Sequence, residues 1–222
     1  TEFTGYVKPG ISSDWPLIIE CDELFPLRQN NHIVSYKTIT LKDLLQLIIP
    51  PSYTIECPDV QLGKILIDKN PTTVQILNWL HDHYGLFSNI NGNIFYMGWP
   101  YDFKPSFTKN HKYELGFTVK NSKALKFQTD IDFNVQVNLS IGLSNGKTLI
   151  VKSGSSDNDS RIISLGSRAG ITEAEGQQIT NAVLSQSLYS GYTGYIVGFG
   201  TPRVHAGDSV TITDPLNLDR EG

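Results

Sequence analysis

From Phe133 to Ile141 every second residue is apolar: Phe133, Val135, Val137, Leu139 and Ile141 alternate with polar residues. Successive strand side chains point to opposite faces, so this run reads as one long strand with a buried face and a wet face. A helix would scatter the same residues around its axis. Asn145-Gly146 is a turn signal that ends the run, and residues 147–152 supply the returning strand. Residues 153–160 (Ser-Gly-Ser-Ser-Asp-Asn-Asp-Ser) then read as a polar loop.

Helical period appears in three places. Leu41, Leu44, Leu45 and Ile48 fall on one face of a helix expected over 41–49. Thr40 and Asp43 have capping-box spacing, and Pro50 stops the helix. Asn70-Pro71 is expected to open a second helix, with Val74, Leu77, Leu80, His81 and Tyr84 on its apolar face and Gly85 as its breaker. Residues 86–90 and 93–97 follow as a hairpin around Asn91-Gly92. With a strand at 62–67, this gives the order strand, helix, strand, strand. A third helix is expected from Thr172, capped by Glu175, with Ile179, Ala182, Val183 and Gln186 on its inner side. Short strands are expected at 17–19 and 33–36 near the start. Others close the chain at 195–199 and 209–213.

Composition removes several function classes. Only 18% of residues are charged, against roughly a quarter in ordinary soluble domains. The polarity comes instead from hydroxyls and amides, as in β-rich virion or extracellular proteins. The net charge is -4, with no basic stripe, so no nucleic-acid partner is expected. No apolar run reaches 18 residues, so no membrane partner is expected. Cys21 and Cys57 are expected to be two buried thiols behaving as small hydrophobes rather than a disulfide. The chain starts without Met and ends in no recognisable cap, so it is expected to be a fragment of a longer protein.

Several clusters have the look of chemical motifs. His81 and His83 are two positions apart, about 200° around a helix, so they cannot share a metal ion. His81 is expected on the apolar stripe and His83 in water. Asp157-Asn158-Asp159-Ser160 opens like a calcium loop, but its sixth and twelfth positions hold Ile162 and Arg168 rather than Gly and Glu. Asp130-Ile131-Asp132 fails in the same way. Residues 191–200 are glycine-rich without dinucleotide spacing, so those glycines are expected at bulges, bends or close approaches. Asp22, Glu23, Asp208 and Asp214 lie near strand ends, and nothing pairs two of them as a glycosidase would. No catalytic, cofactor-binding or metal-binding residue is assigned, and no cofactor is expected.

The aromatic cluster Tyr96, Trp99, Tyr101, Phe103 and Phe107 is interleaved with Gly98, Pro100 and Pro105. It would serve as a carbohydrate-stacking platform or, as expected here, as a bridge between domains or subunits, where aromatics are enriched.

Three stretches resemble the late control D family of phage tail proteins, baseplate hub proteins related to the type VI secretion spike. The first comprises 38–50 and 65–99, with Trp79-Leu80-His81-Asp82-His83-Tyr84-Gly85-Leu86 similar to a helix ending in "yGl" before a hairpin. The second is 173–182, similar to the helix before the last barrel strands. The third and most specific, 194–210, is similar to the signature "G x P x v x p G D x v", with Ala206 where proline is usual. The resemblance implies a β-rich α+β fold: barrel-like antiparallel sheets with an inserted small βαββ unit. Residues 1–50 would begin a barrel-like domain with one helix, and 51–110 would be the insertion. Residues 111–222 would be a second barrel-like domain with one helix, truncated at its end. The implied role is a non-enzymatic baseplate hub component of the virion tail, made in a bacterial host. It would form a homotrimeric ring and touch tail tube and spike proteins. The alternatives are a carbohydrate-binding module at 96–107 and a secretin-like ring-building module at 62–97.

Overall fold

The computed structural model describes residues 6–7, 21–22, 24–100, 106, 108–116, 119–121, 125–128, 134–188, 191–198, 204–205 and 207–216. The chain opens with β1 (Tyr6–Val7) and β2 (Cys21–Asp22), which pair antiparallel, and with the short helix α1 (Phe25–Gln29). The strand expected at 17–19 lies outside the described residues.

β3 (Val34–Thr40) leads straight into α2 (Leu41–Ile48). The Thr40 hydroxyl accepts the Asp43 amide, and Leu41, Leu44, Leu45 and Ile48 are all buried, as the period requires. β4 (Thr54–Glu56) and β5 (Gln61–Ile67) follow, and β5 pairs antiparallel with β3. This pairing joins the segment before residue 50 to the segment after it.

α3 (Thr73–Tyr84) begins two residues later than Asn70-Pro71 suggests. Thr72 is the cap. Its hydroxyl accepts the Gln75 amide, and the Gln75 side chain accepts the Thr72 amide. That reciprocal pair satisfies two terminal donors, which Asn70 at φ +51 does not. The buried stripe is Thr73, Ile76, Leu77, Leu80 and Tyr84, which leaves His81 outside. Gly85 closes the helix at φ +66. β6 (Phe87–Asn91) and β7 (Ile94–Gly98) form the expected hairpin, with the turn at Gly92-Asn93. β4 lies parallel to β7 on its other side. The order strand, helix, strand, strand is present, but its first strand pairs with β3 and not with the hairpin.

β8 (Asn110–Glu114), β9 (Val119–Asn121) and β10 (Lys126–Gln128) lead to β11 (Val135–Gly142). Burial along β11 alternates strictly, with Val135, Val137, Leu139 and Ile141 inside; Phe133 lies outside the described residues. β12 (Thr148–Gly154) returns antiparallel. β13 (Arg161–Ala169), a strand with no alternation to announce it, runs parallel to β11 on the opposite side.

α4 (Glu173–Ser187) starts at the Thr172–Glu175 capping box and covers the apolar face of this sheet. A Cβ on Gly176 would sit 2.7 Å from Ile141 Cδ1, so the helix lies directly on the strand. β14 (Gly191–Thr193), β15 (Val197–Gly198) and β16 (Ser209–Thr213) end the described chain. They pair with β10, β9 and β8 respectively, β16 in parallel.

The fold is thus β-rich α+β. Among the described residues the strands make open sheets of two or three, and three pairings are parallel rather than antiparallel. One buried cluster runs from Leu27 through α2, β5, α3 and β7 to β11 and α4. A polar knot ties α4 to β12. Ser153 Oγ lies 2.7 Å from Thr180 Oγ1 and 2.8 Å from Asn181 Oδ1, and Gln177 Nε2 donates to Ser153 at 2.6 Å. Thr180 is fully buried, so Thr180→Val keeps the shape and removes the hydroxyl. We expect chemical denaturation to report a loss of about 1–2 kcal/mol.

Candidate functional site

The motif-like clusters of the sequence do not converge. His81 is exposed and touches Asp82 at 3.1 Å. His83 is the half-buried one, with Nδ1 donating to Trp79 O at 2.9 Å and its ring stacked on Trp79 at 4.8 Å. The expected assignment of these two histidines is therefore reversed: they flank the buried stripe on opposite sides, and it is His83 that the Trp79 ring covers. Asp157 and Asp159 sit in an exposed turn. Glu23 and Asp130 to Asp132 lie outside the described residues. No group of three metal-ligating side chains converges among the described residues. Cys57 is a half-buried free thiol, pushed up by burial, against the pull of Lys42 and with a further push from Asp59.

The aromatic cluster belongs to the core where it is described. Trp99 is 2% exposed and donates Nε1–H to Tyr84 O at 2.7 Å; Tyr96 is also buried, and burial pushes its hydroxyl up to about 12. Neither ring offers a face to a sugar. Tyr101, Phe103 and Phe107 lie outside the described residues.

What the fold does assemble is a junction around the end of α3. The Tyr84 hydroxyl donates to Leu62 O on β5 at 2.8 Å, and its carbonyl holds Trp99. The Arg168 guanidinium of β13 stacks 4.5 Å over the Tyr84 ring and donates to His83 O at 3.1 Å and Ser167 O at 2.9 Å. Gly85 O accepts from Gln186 of α4 at 3.0 Å. The stretch Tyr84-Gly85-Leu86 is therefore where α3, α4, β5 and β13 meet. Burial pushes the Tyr84 hydroxyl up, while the Arg168 charge and hydrogen bond pull the other way.

Beside this junction the strands β5 and β13 part. They touch at Gly63, where a Cβ would lie 2.4 Å from Ala169 O, and then diverge. The wedge between them is a groove of about 870 Å³ lined by Lys64, Leu66, Lys69, Trp79, Tyr84 and Arg168, among others. Arg168 Nε is buried there without a hydrogen-bond partner. Leu66 is 63% exposed. The groove has no nucleophile–base pair. It is an open, basic, partly apolar slot beside strand edges that are unpaired among the described residues, a geometry suited to holding another polypeptide.

A second arrangement lies at the signature stretch. Asp208 has its side chain 1% exposed. Its carboxylate accepts the Lys109 amide, the His205 amide and His111 Nε2–H, each at 2.9 Å. Gly207 precedes it at φ +91, and Ser209 N donates to Lys109 O at 2.8 Å. Asp208 thus fastens the start of β16 to the start of β8 across about 100 residues of sequence. Burial alone would push the carboxyl up. The hydrogen bonds and the His111 charge outweigh it and hold the carboxyl at about 2. Sequence reading found the turn here but not this role, since the partners Lys109 and His111 give no local signal. The Asp214 side chain accepts the Leu216 amide at 3.1 Å.

No protein-family model matches the sequence, and no curated protein does. Solved structures do. A prophage tail protein from Listeria monocytogenes superposes with a TM-score of 0.55 at 16% identity, covering 95% of this chain and 68% of its own. A tail protein from Neisseria meningitidis gives 0.55 at 17%, covering 88% of this chain and 63% of its own. The 43 kDa tail protein of a Shewanella oneidensis prophage gives 0.51 at 15%, covering 98% and 70%. This chain therefore has the fold of about two thirds of these tail proteins.

Proposed function

We propose that the chain is a structural component of a phage tail, at the baseplate hub of the late control D type. The observation that carries the reading is the fold likeness to three tail proteins over nearly the whole of this chain. The signature stretch supports it from a different direction: Asp208 is a structural clasp in a "G D" turn, a role consistent with scaffolding. In this reading residues 1–50 and 111–222 supply barrel-like parts, and 51–110 is an insertion that shares the β3–β5 pairing with the first part. Barrel closure would come from strands of neighbouring copies meeting open sheet edges. The assembly is a homotrimeric ring in the virion tail, between tube and spike, and performs no chemistry.

Electron microscopy of the intact protein tests this. Particles with three-fold symmetry are expected. A monomer at micromolar concentration, or rings of twelve or more subunits as a secretin would form, would rule out the hub role.

A further inference from the structure

We propose that the groove between β5 and β13 receives the β12–β13 loop of a neighbouring copy of this chain, in a head-to-tail contact. The inference deepens the self-assembly reading above and rests on it.

The groove carries Lys64, Lys69 and Arg168 against one carboxylate, Asp68. Lys64 and Lys69 are exposed, with no ion-pair partner among the described residues. The amino groups of Arg168 are engaged by His83 O and Ser167 O, and its buried Nε–H has no acceptor. An incoming carboxylate would satisfy these donors, and the exposed Leu66 offers apolar contact beside them.

The complementary group lies at the other end of the same sheet. Residues 153–160 contain Asp157 and Asp159 and no cation. Both aspartates are exposed and have no ion-pair partner among the described residues. The loop is pre-built. Ser155 Oγ and Ser160 Oγ each donate to Asn134 Oδ1 at 2.8 Å, and Ser160 N donates to Asp157 O at 3.1 Å. A loop already ordered loses little entropy on docking.

Position decides between contact within one copy and contact between copies. The loop packs at Val135, where Ser155 N donates to its carbonyl, whereas Gly142 lines the groove. The eight residues of β11 separate the two, about 25 Å at roughly 3.3 Å per residue. The loop cannot reach its own groove. Two unlike, complementary patches at opposite ends of one rigid sheet make a heterologous interface, which closes into a ring when the rotation allows.

The test is sedimentation velocity of the chain across a concentration series, in about 50 mM and about 500 mM salt. Self-association that weakens at high salt is expected. Asp157→Lys with Asp159→Lys should weaken it roughly tenfold or more, and Lys64→Glu with Lys69→Glu should do the same. The quadruple variant, with the charges exchanged, should regain most of the association, while Lys112→Glu on β8 should change nothing. Circular dichroism of each variant verifies folding. Association indifferent to both charge reversals overturns this contact and leaves self-assembly standing. Sensitivity to the groove reversal alone overturns the loop as occupant. A chain that stays monomeric throughout overturns the contact, and the particle symmetry of the intact protein then decides the hub reading separately.

Discussion

Gly63→Ala is expected to destabilise the fold by roughly 3–4 kcal/mol. Gly63 sits inside β5 at φ +76, a conformation that costs an alanine about 1–2 kcal/mol before any contact is made. The new Cβ would then lie 2.4 Å from Ala169 O and 2.8 Å from Ile171 Cγ2. A backbone carbonyl cannot swing aside as the tip of a flexible side chain can, so β13 must move. Gly170 faces the same junction from the other side, where its Cβ would meet Lys37 O at 2.8 Å. These two glycines let the end of β13 rest against the β3–β5 pair. Gly92→Ala isolates the conformational part: φ is +61, and nothing lies within 4 Å of the new atom. Urea unfolding should place Gly92→Ala within about 1–2 kcal/mol of the parent and Gly63→Ala well below both. Equal costs at the two sites would mean that the β5–β13 contact is not close-packed.

Asp208→Ala is expected to cost roughly 3 kcal/mol at neutral pH, because three donors aimed at a buried carboxylate lose their acceptor together. The pH dependence has a definite sign. The folded carboxyl titrates at about 2, below its ordinary value of 3.8, so folding favours the ionised form. The stabilisation is complete above about pH 4 and is lost as pH falls towards about 2. The gap between the parent and Asp208→Ala should therefore shrink in that acid window. Hydrogen exchange supplies a local readout: the Lys109 and His205 amides, bonded to the carboxylate at 2.9 Å, should lose protection in the variant. A gap that widened on acidification, or amides that exchanged no faster, would contradict the clasp.

These two positions also mark how far the sequence can be read. A glycine within a strand-like run is a recognised sign of a bulge or close approach, and Gly63 stood in such a run. The partner it approaches, Ala169, is more than 100 residues away and carries no mark of its own. The same holds for Asp208, whose turn was readable from Gly207 while its amide partner Lys109 was not. The aromatic residues show the converse error. Tyr96 and Trp99 were expected to bridge domains or subunits, but both are buried, Trp99 bonded to the Tyr84 carbonyl at the end of α3.

Sequence alone determined the elements whose signals are local. The α2 and α4 caps, the αL residue at Gly85 and the alternating burial of β11 each depend on residues within one or two turns or one pleat, so their physics is complete in a short window. Tertiary structure alone decided the partners. β13 lies mostly exposed and shows no period, and it becomes a strand because β11 offers it an edge. The pairing of β5 with β3, the burial of Trp99, the exchange of environment between His81 and His83, and the Asp208 clasp all follow from which surfaces meet. A backbone hydrogen bond or a buried face is specified by what lies across from it, and that neighbour is chosen by the packing of the whole chain.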